Sequence, residues 1–298
     1  MRVLIGTLYT GENEFEQCMQ SIRDQTHEDW EHVVYKHLPN KEAHDRLYRT
    51  FMDRTGFDLY VKLDADMVFR SPESLETLVD LFREEPDLDH AILAVHDWAS
   101  GTLIMGLHAF SDRAEWTASN ENLFVDHSPE VPGKRLSTKE PPAPIVDHSP
   151  NPSPFQAFRF GVHRALKVVQ RDRGKLDLFR SRMQWTLLGN IWDRFRETGI
   201  RRLGLVVLGA ETVLENSVQR TSYATSNDHL RTRFEREYEQ MPVDKMSAQL
   251  SPQWGSRRRR EARYIRTIGV GRLFCSGAVD IPRRIASNLY HSIRRDTL

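Results

Sequence analysis

The chain has 298 residues, 39% of them hydrophobic and 28% charged, and a formal net charge of zero. Such a composition suits one or two folded domains and excludes a disordered or fibrous chain, and no run approaches the ~20 consecutive apolar residues of a membrane-spanning helix. Cys18 and Cys275 are too few for a disulfide framework or a cysteine zinc site, and Met1 leads into an apolar run without a secretory leader, so a reducing cytoplasm is expected.

In chain order, residues 2–8 read as a short buried strand. Glu14 to Asp24 shows helical spacing, with Phe15, Met19 and Ile22 on one side. His32 to Tyr35 is a second strand, and Lys41 to Arg54 a second helix with Leu47 and Phe51 one turn apart. Leu59 to Leu63 forms a third strand that ends in Asp64-Ala65-Asp66. Ser71 caps a third helix with Pro72 at its first position, and Ala91 to Val95 is a fourth strand. Strands alternating with helices predict a largely parallel sheet covered by helices on both faces, with ligands held beyond the carboxyl ends of the strands. Asp64 and Asp66 fall there.

Between Asp126 and Pro154 there are eight prolines, and Val-Asp-His-Ser-Pro occurs twice, at 125–129 and 146–150. This stretch reads as loop. From Phe155 the chain is mostly helical, over 155–170, about 176–198, about 203–216 and 228–240; Leu205 to Leu208 fits a strand equally well, and Trp185 and Trp192 read as core. On the first of these helices Phe155, Phe158, Val162, Leu166 and Val169 form an apolar stripe. Gln156, Arg159, His163 and Lys167 share another face, suited to phosphate or acceptor hydroxyls.

Two carboxylates one residue apart repel each other, and at a cleft that repulsion favours a bound cation. Mn²⁺ or Mg²⁺ would take carboxylate oxygens and leave positions open for substrate phosphates. The motif is weak alone and stronger at the end of a third strand.

The run Tyr9-Thr10-Gly11-Glu12-Asn13, the helix ending Ser21-Ile22-Arg23-Asp24-Gln25-Thr26, the strand at Trp30 to Val34 and Lys62-Leu63-Asp64-Ala65-Asp66 resemble, together, the opening of family-2-like GT-A glycosyltransferases over about 110 residues. The resemblance implies a GT-A (nucleotide-diphospho-sugar transferase, Rossmann-like) fold: a mostly parallel sheet flanked by helices, with a helical C-terminal extension. Residues 1–154 would be the nucleotide-sugar-binding catalytic domain and 155–298 a mainly helical acceptor-side region. The implied activity is metal-dependent transfer of a sugar from a nucleotide-diphosphate donor to an acceptor hydroxyl of a saccharide or lipid-linked molecule, inverting rather than retaining. Thr7, Tyr9 and Glu12 would line the nucleotide pocket, and Asp64 and Asp66 would serve metal and diphosphate. Family members often complete the metal shell with a late histidine, for which His148 is preferred to His127. Glu121 and Asp126 are placed by sequence order as the catalytic base, with Glu211 a distant third. Where the family has acidic residues after the second strand, this chain has Lys36-His37-Leu38-Pro39-Asn40.

Two alternatives stand beside this reading. A sugar nucleotidyltransferase would show a Gly-rich basic loop after the first strand, whereas Thr7 to Glu14 has one Gly and no basic residue. The other is an inactive relative that binds glycan or membrane. From Ser256 to Leu298 eleven arginines and no lysine face Glu261, Asp280 and Asp296, a surplus of eight positive charges that leaves about −8 on the rest. This suits a solvated helix face or peripheral contact with an anionic membrane at its cytoplasmic side. No nucleic-acid partner is expected, because the arginines lack interleaved aromatics.

Overall fold

The structure, a computed structural model, describes residues 1–118, 129–138, 144–170, 176–215, 228–279 and 281. The chain divides into two compact units, Met1–Gln156 and Ala157–Leu298.

The first unit is built on β1 (Val3–Tyr9), α1 (Phe15–Arg23), β2 (Trp30–Lys36), α2 (Asn40–Asp53), β3 (Leu59–Lys62), β4 (Met67–Phe69), α3 (Ser74–Glu84), β5 (Leu88–Asp97), β6 (Thr102–Ser111), β7 (Lys134–Thr138) and β8 (Val146–His148). The sheet runs β2-β1-β3-β6-β5-β8-β4, with β7 also on β5. Among the described residues β1 pairs in parallel with β2 and β3, and β5 with β7 and β8; the pairings of β3 with β6, β5 with β6 and β4 with β8 are antiparallel. This is the α/β architecture of a sheet flanked by helices that the resemblance implied, with the parallel order interrupted at β6.

Alternation along the strands divides the core into two layers. Val3, Ile5 and Val61 pack with Cys18 and Ile22 of α1 and Leu75, Leu78 and Val79 of α3. Leu4, Tyr60 and Phe110 pack on the opposite face with Leu47, Tyr48 and Phe51 of α2. Gly6 belongs to that second face, where a Cβ would lie 2.1 Å from Leu47 Cδ1 and 2.8 Å from the Phe51 ring. Only a residue without a side chain lets α2 come this close.

Three expectations need correction. The helix expected from Ser71 begins at Ser74, whose hydroxyl accepts the Ser71 N–H (3.1 Å) and donates to the Ile145 carbonyl (3.0 Å). The serines therefore fasten a turn to the strand beside it rather than cap the helix at Ser71. The segment read as loop contains β7 and β8, because prolines bracket short strands without interrupting them. β6 went unread, although its hairpin turn is marked: the Asp97 carboxylate accepts the Ser100 N–H (2.7 Å) and the Asp97 carbonyl accepts the N–H of Gly101, at φ +65° (2.9 Å).

The second unit is helical. α4 (Pro154–Val169) starts at the end of the first unit and is followed by α5 (Leu178–Thr198), α6 (Arg201–Leu214), α7 (Asp228–Glu237), α8 (Val243–Trp254) and α9 (Arg257–Ile268). A further helical stretch covers 270–279. The ambiguous residues 205–208 lie in α6, where every residue from Leu203 to Leu214 is buried and no polar face exists to reveal a period. α4 and α6 cross at backbone contact: a Cβ on Gly161 would lie 1.7 Å from the Val206 carbonyl oxygen, and one on Gly209 2.0 Å from that of Phe158. Trp185 and Trp192 are core as expected, and Trp185 stacks on Trp254 at 5.0 Å.

Candidate functional site

β3 and β5 run in the same direction, since each is antiparallel to β6, and β8 runs parallel to β5. Their carboxyl ends therefore share one edge of the sheet, and that edge gathers Asp64 and Asp66 after β3, Asp97 at the end of β5 and His148 at the end of β8. Alternation in β8 turns His148 inward and Asp147 outward, toward Arg70 (3.4 Å) and His96 (3.3 Å).

His148 is held from both sides. Its Nδ1 lies 2.8 Å from Asp97 Oδ1, a carboxylate with no exposure, and its Nε2 lies 3.4 Å from Asp66 Oδ2. The Asp97 carboxylate keeps its other oxygen on the Ser100 N–H, so it cannot rotate away without losing the β5–β6 turn. Ser149 follows with φ +47°, a left-handed conformation that is strained for a residue with a side chain. In return its N–H donates to the Asp66 carbonyl (2.7 Å) and its hydroxyl to Asp66 Oδ2 (2.8 Å). β8 and its turn thus fix both the imidazole and the Asp66 carboxylate.

Asp64 has a different partner. The buried Lys62, two residues earlier on the same strand face, places Nζ 2.7 Å from Asp64 Oδ2. The two aspartates of the motif thus have different partners. Among the described residues no group of three or more His, Cys, Asp or Glu side chains could hold a metal ion. Asp66 and His148 do fit a divalent cation as a pair, offering one carboxylate oxygen and one imidazole nitrogen. Asp97 stands behind the ring in the position that commonly orients a ligand histidine.

The edge is electrostatically negative. Glu14, fully buried at the start of α1, has its carboxyl pushed up by burial and further by the Asp66 charge, against hydrogen bonds from the Gln156 amide (2.8 Å) and the Asn151 N–H (3.1 Å). Burial, then Asp66 and Asp64, push the Cys18 thiol up to about 12, so this cysteine is inert at neutral pH.

The remaining expected site residues are dispersed. Thr7 has no exposure; its hydroxyl lies 2.9 Å from His32 Nε2, under the strand rather than in a cleft. Burial holds His32 neutral, down to about 4. Glu12 closes its own loop by accepting from the Thr10 N–H and hydroxyl, both at 2.6 Å. Tyr9 is partly exposed, with Phe15 at 4.2 Å and His37 at 5.2 Å between ring centroids, and Lys36 Nζ lies 4.9 Å over Phe15. Gln156, expected to face an acceptor, accepts the Asn13 N–H (3.0 Å) and donates to Glu14, joining the residues just before α1 to the first turn of α4. Arg159 and His163 are half-buried in the second unit. Glu211 is buried there between Arg263 and the Trp254 indole, both at 2.5 Å, which removes it as a base candidate. Glu121, Asp126 and His127 lie outside the described residues. Sequence reasoning missed Asp97, Lys62 and Glu14. The first two carried a signal, as an acid at the end of an apolar strand and a lysine at i−2 on the strand face of Asp64.

No protein-family model matches the chain, and no curated protein does. Among solved structures it is similar to residues 1–349 of S. aureus TarS at 10% identity, covering 86% of this chain and 92% of that one with a TM-score of 0.35. It is also similar to the mannosyltransferase PcManGT from Pyrobaculum calidifontis, solved with GDP-Man and Mn²⁺, at 12% identity over 90% and 86% of the two chains with a TM-score of 0.32. A197 from STIV matches at 14% identity over 37% of this chain and 65% of that one, with a TM-score of 0.30.

Proposed function

We propose that this protein is a metal-dependent glycosyltransferase that moves a sugar from a nucleotide-diphosphate donor to an acceptor hydroxyl. The observation that carries the reading is the Asp97–His148–Asp66 arrangement at the carboxyl edge of the sheet. The imidazole of His148 lies between two carboxylates, with Nδ1 toward Asp97 and Nε2 toward Asp66. In its neutral form, with the proton on Nδ1, the ring would offer Nε2 and the Asp66 carboxylate, 3.4 Å apart, to a shared cation. When bound, Mn²⁺ or Mg²⁺ would offset the charge of a departing diphosphate. Asp66 and His148 would hold that ion, Asp97 would fix the ring tautomer, and Ser149 would fix the Asp66 carboxylate. Asp64 would join only by releasing Lys62. Tyr9, Phe15 and Lys36 offer aromatic faces and a positive charge for the nucleotide beside β1.

In the transfer the acceptor oxygen bonds to the anomeric carbon and the bond from that carbon to the diphosphate oxygen breaks. The hydroxyl proton passes to a base, for which Glu121 and Asp126 remain the candidates, with inversion as the outcome. The acceptor would be a saccharide or lipid-linked molecule, and the site of action the cytoplasm. Residues 1–154 would serve as the nucleotide-sugar-binding domain.

Ligands that bind the native state raise its melting temperature in step with affinity and concentration. A panel of nucleoside diphosphates and nucleotide sugars, each with and without Mn²⁺, should reveal stabilisation that requires both metal and nucleotide. Asp66→Asn should abolish it without lowering the melting temperature of the free protein. Metal-independent stabilisation, or an unaffected Asp66→Asn variant, would overturn the reading.

A further inference from the structure

The C-terminal arginines divide into two groups. Arg260 grips Asp193 with two bonds (2.7 and 3.0 Å), Arg263 grips Glu211, and Arg272 donates to the carbonyls of Val169 and Gln170 (2.6 and 2.5 Å), closing the end of α4. These three build the fold. Arg257, Arg258, Arg259 and Arg266 are exposed.

The same region carries the most exposed large apolar side chains described. Phe274 is 77% exposed and Val270 71%, with Ile265 at 45% on α9. Val270 and Phe274 are one turn apart on the helical stretch 270–279 and lie on one stripe. Arg272 and Ser276 fall on the opposite stripe, and these face the unit: Arg272 caps α4 and Ser276 is buried. The helix is therefore moored by one side and presents an aromatic and an aliphatic residue outward, in the same C-terminal segment as the exposed arginines.

We propose that the exposed stripe of Val270 and Phe274, together with the exposed Arg258, Arg259 and Arg266 of the preceding helix, docks the protein on an anionic membrane surface. Apolar side chains entering the acyl boundary beside guanidinium groups at headgroup level satisfy both kinds of residue at once, as an interfacial amphipathic helix does. Charge complementarity selects the occupant: Arg257, Arg258, Arg259 and Arg266 are exposed on α9, whose one acid, Glu261, is engaged by Arg182. A second copy of the chain, offering its acidic remainder, is the competing occupant and an outcome of the test. The proposal does not depend on the donor site and can fail separately from it.

The full chain is co-sedimented with phosphatidylcholine vesicles and with vesicles that also contain phosphatidylglycerol, at low and high salt. Binding to the anionic vesicles alone, released as salt rises, is expected. The exposed double variant Val270→Ser/Phe274→Ser should bind at least about tenfold more weakly. Its melting temperature should match the parent's. In Phe274→Trp the tryptophan emission should shift to the blue on anionic vesicles. Equal binding by parent and double variant would overturn the proposal, as would self-association without lipid that the double variant abolishes, or no binding to anionic vesicles.

Discussion

The helical unit and the carboxyl edge of the sheet treat buried charge differently. In the helical unit three carboxylates each meet a guanidinium through two bonds: Glu211 with Arg263, Asp193 with Arg260, and Glu261 with Arg182. At the carboxyl edge of the sheet, Asp66, Asp97 and Glu14 meet an imidazole, a hydroxyl, amides and one another's fields instead. A complete ion pair satisfies its own desolvation and serves packing. Clustered carboxylates without matched cations are held there at a cost in stability, and a ligand that brings positive charge recovers it. Identical residue types thus complete ion pairs in one place and stand without matched cations in the other.

Breaking a pair in the helical unit should have the largest effect on stability. Glu211→Ala leaves Arg263, 11% exposed, without its carboxylate and the Trp254 indole without an acceptor. Removing one partner of a buried ion pair typically costs about 3–5 kcal/mol. Denaturant unfolding should show that loss. A cost below about 1 kcal/mol would mean the pair behaves as a surface bridge.

At the sheet edge the same kind of change should act on ligand binding more than on folding. Asp97→Asn keeps an oxygen for the Ser100 N–H but offers an amide N–H to His148 Nδ1. The ring must then accept at Nδ1 and carry its proton on Nε2, which removes the lone pair facing Asp66. Loss of such an orienting partner typically weakens metal affinity by about 10–100-fold. Titration of Mn²⁺ by electron paramagnetic resonance, without any turnover assay, should show it. Unchanged affinity in a folded variant would remove His148 from the metal shell.

How much of this was legible in the sequence follows from what each feature depends on. β1, α1, β2, α2, β3 and β5 were readable because their apolar residues repeat locally, and all six lie within a few residues of expectation. Asp66 and His148 were named on a motif and a resemblance, and the sheet brings them together. Asp97 was not named because its role depends on β5 and β8 becoming neighbours across 51 residues. The contact of Gln156 with Glu14 was not foreseen for a related reason. Helical spacing shows which residues share a face but not that the face meets Glu14, 142 residues earlier. The arginine surplus of the C-terminal segment was read as surface, yet Arg260, Arg263 and Arg272 are spent on internal acceptors. Net charge does not distinguish a cation bound inside from one left outside.

The smallest predicted effect carries the contrast to a buried imidazole that meets a hydroxyl rather than a carboxylate. His32 donates to or accepts from Thr7, and burial lowers its imidazole to about 4. In the unfolded chain it titrates at its ordinary value of 6.5. Between these values the unfolded state takes up a proton that the folded state refuses. The stability His32 gives is therefore whole above pH 6.5, falls as the pH drops, and is exhausted below about 4. From neutral pH to one unit below its ordinary value the loss approaches about 1.4 kcal/mol, and partial solvent exposure of the ring brings it nearer 1 kcal/mol. Parent and His32→Gln, unfolded in urea across that interval, should diverge by this amount, with the parent losing more as acid is added. Parallel curves would mean that the imidazole is hydrated in the folded state and that Thr7 faces solvent, which would return Thr7 to the cleft.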